Sequence, residues 1–259
     1  MQTLTLLPAL LMGAILSGCV HETTYLSDGR QSREVMFKPS EAALTRMNLG
    51  LAYLRRGDAE QAKFNLDRAL AQDPRSADVH LARAWFYQSV SDFEQAENSY
   101  RQVMRLDPNH GDGLNNYGVF LCGRERFDEA DAMFRRAIVS SGYVQVADSY
   151  ENAAMCAIRH GKSEVALDYF RRALEYSPNR SKALLGAAEL LAEQGDDGGA
   201  LEYLARYRDE HQPNAQSLWL TVRTAEAQGS VAQARLAGAE LVRLFPDSEQ
   251  ARRFLSNDY

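Results

Sequence analysis

From residue 43 to the C-terminus, apolar residues recur at helical spacing in short blocks, and the blocks themselves recur. Segments beginning at Ala43, Ala77, Gly111, Ala147, Ser181 and Ala215 align with spacings of 34, 34, 36, 34 and 34 residues. The twentieth position of every segment is alanine: Ala62, Ala96, Ala130, Ala166, Ala200 and Ala234. Four residues further on stand Leu66, Tyr100, Phe134, Phe170 and Leu204, with Gly238 breaking the rule in the last segment. The seventh and eighth positions give pairs such as Leu49-Gly50 and Tyr117-Gly118, and segments close on Pro74, Pro108, Pro178, Pro213 or Pro246. This pattern predicts two short amphipathic helices per segment, joined by turns that Gly57, Gly161, Gly195 and Gly229 mark. The small residues let the two helices approach, and the large one fills the groove left between them. Proline ends the unit because a helix interior loses about 3 kcal/mol on accepting it.

A two-helix unit of this length with these small and large positions resembles the tetratricopeptide repeat. The fold class expected is therefore all-α, a right-handed superhelical solenoid of six helix pairs stacked on one continuous core. The units are 43-76, 77-110, 111-146, 147-180, 181-214 and 215-246, followed by a C-terminal cap over 247-259. The two extra residues of the third unit, around SSGYVQ, predict a longer connection bulging from the stack. In the cap, SEQARRFLSNDY has the length of a short helix with Phe254 and Leu255 facing inward. Gly198, Gly199 and Gly238 mark the C-terminal end as the softest part, since each helical glycine costs about 1 kcal/mol against alanine.

Residues 1-18 break the polar character of the chain. Leu4 to Leu16 form an apolar run of signal-peptide length, and Ser17 and Gly18 lead into Cys19. The string LSGCV resembles a bacterial lipobox, although no Lys or Arg precedes the apolar run. That resemblance implies cleavage before Cys19, diacylglycerol on its thiol and an acyl chain on its amine. Two or three acyl chains anchor a protein stably where one does not. Val20 and His21 follow with no Asp, which favours sorting to the outer membrane, facing the periplasm. Residues 19-42 read as lipidated N-terminus and tether; as flexible coil, its 21 residues from 20 to 40 would span roughly 25 Å.

Composition narrows the chemistry. Of 259 residues, 45% are hydrophobic and 25% charged, with a net charge of −6. That balance lacks the basic footprint nucleic-acid binding needs. No apolar run after Cys19 approaches the roughly 20 residues of a spanning helix. His21, His80, His110, His160 and His211 are scattered, and no metal-ligand spacing, P-loop or GxSxG string occurs. The expectation is no enzyme, no cofactor, no metal and no small-molecule substrate. Cys122 and Cys156 lie on first helices of adjacent units, where helix axes run about 8–10 Å apart. A bridge wants Cα atoms within about 6.8 Å. Two small buried thiols are therefore expected, with a disulfide as the alternative.

Function is expected on the inner wall, which tetratricopeptide repeats line with first-helix positions two, five, six, nine, twelve and thirteen. Unit one supplies Leu44, Met47, Asn48, Leu51, Leu54 and Arg55; unit two adds Leu81 and Trp85. Further along stand Asn115, Asn116, Val119, Asn152, Met155 and Ile158, with Trp219 in unit six. Four apolar residues on a wall that should meet solvent suggest a docking surface. Amides at position six (Asn48, Asn116, Asn152) are suited to hold an extended peptide backbone. Both tryptophans can equally be inter-repeat packing, the asparagines can pair with neighbouring backbone, and residues 26 to 40 could fold back over the first unit.

Lipobox, tether and six units together resemble the PilW/PilF family of type IV pilus biogenesis/stability lipoproteins. The likeness runs from about residue 44 to about residue 254 in the strings LGLAYLRRGDAEQAKFNLDRAL, LNNYGVFLC and RLFPDS. It implies a monomeric pilotin that binds type IV pilus secretin subunits in its groove and carries them to the outer membrane for multimerisation. The competing reading is a general periplasmic scaffold for another envelope export or cell-wall machine.

Overall fold

The computed structural model describes residues 38–257. The leader, Cys19 and the tether as far as Met36 and Phe37 lie outside them. The described residues form thirteen helices and no strand. They pair as α1 (Pro39–Arg55) with α2 (Ala59–Gln72), α3 (Ala77–Ser89) with α4 (Phe93–Leu106), and α5 (Gly111–Gly123) with α6 (Phe127–Ile138). The remaining pairs are α7 (Val146–Arg159) with α8 (Ser163–Tyr176), α9 (Ser181–Glu193) with α10 (Asp197–Glu210), and α11 (Ala215–Ala227) with α12 (Val231–Leu244). The short α13 (Glu249–Leu255) follows. The result is an all-helical superhelical solenoid of tetratricopeptide type. Helix α1 begins at Pro39, so residues 39–42, within the segment read as tether, form its first turn. Proline suits that position because its fixed φ is helical and its missing N–H would have had no partner there.

All six position-twenty alanines are fully buried, and Leu66, Tyr100, Phe134, Phe170 and Leu204 fill the space beside them. Close approach is strict: a Cβ on Gly118 would lie 2.7 Å from Phe134 Cε1. Gly238 is the exception explained by its neighbour. The ring of Phe254, from α13, occupies the space a side chain at 238 would need. The cap thus supplies, from a separate helix of the same chain, the bulk that the sixth unit lacks in its own. Leu255 does not join it; 66% exposed, it points away, one residue and about 100° further round the helix.

Between helices of a pair, Gly57, Gly161, Gly195 and Gly229 adopt positive φ, and Ser91 and Glu125 take the same left-handed place in units two and three. Side-chain caps begin several helices: Asp58, Asp92 and Asp196 on second helices, Ser76, His110 and Asn214 on first helices. The longer connection of unit three curls inward as well as outward. Val144 is exposed, whereas the Tyr143 ring packs on Gly111 and its hydroxyl bonds Ser149 Oγ at 3.0 Å.

Cys122 and Cys156 form a disulfide with Cα atoms 5.9 Å apart, which corrects the expectation of two free thiols. The spacing of 8–10 Å is measured between helix axes. Facing Cα atoms each stand about 2.3 Å off their axis, so their separation falls to about 3–5 Å and upward. The axis distance never excluded the bond. It ties α5 to α7 across the unit boundary.

One apolar cluster runs without a break from Leu81 in unit two to Leu220 in unit six. Smaller clusters hold the ends: Ala62, Leu66, Ala82 and Phe86 at the first unit, and Leu218, Trp219, Val222 and Leu241 at the last. Trp219 is therefore core.

Candidate functional site

First helices place their second, fifth, sixth and ninth positions along one wall, and each row has its own chemistry. The ninth row reads Leu51, Trp85, Val119, Met155, Glu189, Arg223. Leu51 is half-buried, while Trp85, Val119 and Met155 are 41%, 39% and 48% exposed. An apolar ridge thus crosses units one to four and becomes charged at unit five. The second row reads Leu44, Asp78, Asp112, Asp148, Lys182, Gln216, an acidic rail over units two to four. The sequence reading took Leu44 from that row and missed the three aspartates, although their shared register was visible.

Between ridge and rail lies a cleft of 430 Å³. It brings together six of the expected residues: Met47, Leu51, Leu81, Trp85, Asn115 and Asn116. Asp78, Ala82, Asp112 and Gln145 complete the lining. Gln145 comes from the extended connection of unit three, which was not expected to reach the wall. A shallower depression of 320 Å³ continues past Trp85 and Asn116 to Val119. Leu44 and Asn48 are exposed on α1 outside the cleft, and Met155 stands beyond its far end. In unit one, Met47, Leu51 and Leu54 are half-buried and pack on the local core, so only Leu44 of the four is freely exposed.

The amides are engaged within the protein. Asn116 Nδ2 donates to the carbonyl of Asp112 at 2.7 Å. Asn152 Nδ2 and Ser149 Oγ both donate to Asn115 Oδ1 at 3.1 Å. The position-six amide of unit three therefore braces its own helix, that of unit four bridges α7 to α5, and the three asparagines are not equivalent in their bonding.

The rail is partly neutralised. His110 Nδ1 accepts from the N–H of Gly113, capping α5 at 3.0 Å, and its Nε2 donates to Asp78 Oδ1 at 3.0 Å. That hydrogen bond holds the Asp78 carboxyl below its ordinary value. Arg180 pairs with Asp148 and, at 3.0 Å, with the buried Glu151. Asp112 has no ion-pair partner among the described residues. Among them, too, no group of three or more metal-ligating side chains occurs, and no helix is long and apolar enough to cross a membrane.

Tetratricopeptide-repeat models match residues 47–89, 77–110, 111–179 and 157–224. The type IV pilus assembly protein PilF of Pseudomonas aeruginosa is 33% identical over 214 residues, covering 83% of this chain and 85% of that protein. The solved structure of Pseudomonas aeruginosa PilF superposes with a TM-score of 0.73 at 32% identity, covering 85% of this chain and 99% of the other. That of PilW, a widely conserved type IV pilus biogenesis factor, gives 0.70 at 30% identity, covering 82% and 98%. With repeat models spanning most of the solenoid and PilF alike in sequence and in fold, the chain belongs to the PilF/PilW family of type IV pilus biogenesis tetratricopeptide-repeat proteins.

Proposed function

We propose that this protein is an outer-membrane lipoprotein pilotin, anchored through Cys19, that binds subunits of the type IV pilus secretin and promotes their outer-membrane localisation and multimerisation. Its kinship with PilF and PilW supports a role in pilus assembly. The observation that carries a binding role is the ridge of Trp85, Val119 and Met155 beside the cleft. Large apolar side chains left in solvent in register, one per unit, are the form a protein-docking surface takes. The matched models are repeat units of a scaffold type.

The test replaces ridge residues that the core does not need. Trp85→Glu with Met155→Glu should abolish co-purification of the secretin, leave secretin monomers misplaced and remove surface pili. Because both side chains are exposed, stability should change by only about 0.5 kcal/mol, or about 1–2 °C in Tm. Cys19→Ala should block incorporation of labelled palmitate and give the same loss of pili. Normal secretin rings in a strain lacking the gene would defeat the proposal.

A further inference from the structure

The cleft between units one and three has a lopsided chemistry. Its floor is apolar, from Met47, Leu51, Leu81 and Trp85, and among the described residues its only charged lining is Asp78 and Asp112. No Lys or Arg of the described residues lines it. One oxygen of Asp78 is held by His110, and Asp112 carries no ion pair among the described residues, so the wall presents negative charge that they leave partly uncompensated. Asn115 adds a hydrogen-bond donor to the cleft. It is 7% exposed and lines the cleft, yet both of its hydrogen bonds arrive at Oδ1. Its Nδ2 makes no hydrogen bond within the described residues and is not sealed from solvent, so it is available to donate to a ligand. An acceptor brought by a ligand, such as a backbone carbonyl, would satisfy it.

Trp85 supplies the remaining element. Its indole is 41% exposed beside the two carboxylates, and an indole face attracts a cation as well as an alkyl chain. A Lys or Arg side chain can lay its methylenes on such a ring while its head reaches the carboxylates. Leu51 and Met47, next along the floor, suit an apolar neighbour.

From this geometry we infer that the cleft takes an extended peptide segment carrying a Lys or Arg beside a large apolar residue. Its cation lies between Asp78 and Asp112, its apolar side chain lies on Leu51 and Met47, and a backbone carbonyl accepts from Asn115. This deepens the docking role proposed above by assigning the chemistry of the bound segment; an acidic or purely apolar segment is excluded.

The full chain in detergent micelles can be titrated against four labelled dodecapeptides crossing Leu or Ser with Lys or Glu at adjacent positions. Overlapping peptides tiling the secretin periplasmic region form a parallel set. The Leu/Lys peptide should bind at least tenfold more tightly than Leu/Glu and Ser/Lys, and raising salt should weaken it. Asp112→Asn should reduce that affinity about tenfold and flatten the salt dependence, while Asp112→Glu retains both. Melting curves of the two variants separate lost binding from lost folding, and Trp85→Leu provides a second variant outside the helix start. Equal affinity for Leu/Glu, no binding by any of the four, or unchanged binding by Asp112→Asn would overturn the inference. Concentration-dependent dimers abolished by Asp112→Asn would make a second copy the occupant; tighter binding after deleting residues 20–37 would make it this chain's own segment. Either result also overturns it. A Leu/Lys preference with every secretin tile silent would sustain the inference and count against the secretin reading alone. Secretin tiles that bind without a basic residue would do the reverse.

Discussion

Glu97 joins two units through one oxygen. Its Oε1 accepts from Arg101 Nη2 and Arg126 Nη1 at 2.8 Å and from the Tyr117 hydroxyl at 3.1 Å. Burial pushes the carboxyl up, but the hydrogen bonds from Arg126, Arg101 and Tyr117 outweigh it, and the net shift is downward. A carboxyl lowered in the folded state binds fewer protons there than in the unfolded chain, where its value is about 4.3. Its contribution is complete above that value and is lost as pH falls through the folded one. Glu97→Gln should therefore cost about 1–3 kcal/mol at pH 7. The gap between the variant and wild-type melting temperatures should close progressively below about pH 4. A gap that stays constant with pH would show the carboxylate charge to be irrelevant. Only the Arg101 partner, four residues on in the same helix, was readable from the sequence; Arg126 is 29 residues away, and only the stacking of units brings it near.

At the scale of the element, what was legible was what depends on local spacing. Six alanines and five large residues gave the helix pairs, since a helix fixes which residues share a face. The two tryptophans, both at wall positions of that frame, part only once the units stack: Trp219 at position five is buried, as are Leu81, Asn115 and Glu151, and Trp85 at position nine is exposed. What stayed hidden was set by contacts between elements. Turns at Ser91 and Glu125 lack the glycine that announces them, the Cys122–Cys156 bond depends on how closely α5 meets α7, and Phe254 finds Gly238 only once α13 folds back. That last pair predicts a compensating exchange. Phe254→Ala should cost roughly 2–4 kcal/mol in urea unfolding, and adding Gly238→Leu should recover part of it. Gly238→Leu alone should be destabilising, because Phe254 already fills the space. Additive losses in the double variant would show that the two positions do not share one cavity.

For the whole molecule, stability should follow the continuity of the core. The large cluster and the disulfide both belong to the middle units, while the ends rest on a few residues each. Solenoids divide in this way because each unit touches only its neighbours. Hydrogen exchange should be slowest in α5 to α9 and fastest in α1, α12 and α13. Replacing both Cys122 and Cys156 by Ser should lower protection of the middle helices by roughly 2–4 kcal/mol, since the bond closes a loop of about 34 residues. Uniform protection from end to end would contradict a stability graded by unit.

The apolar ridge also carries a length. From Leu51 to Met155 it takes three steps between neighbouring first helices, each about 8–10 Å, or roughly 25–30 Å in all. A strand rising about 3.3 Å per residue covers that distance in eight or nine residues. A shorter visitor forfeits rungs one at a time, whereas residues past the ninth reach only Glu189 and Arg223. The wall is in effect a ruler, graduated in side chains and stopped at unit five, and it rewards guests cut to its own measure.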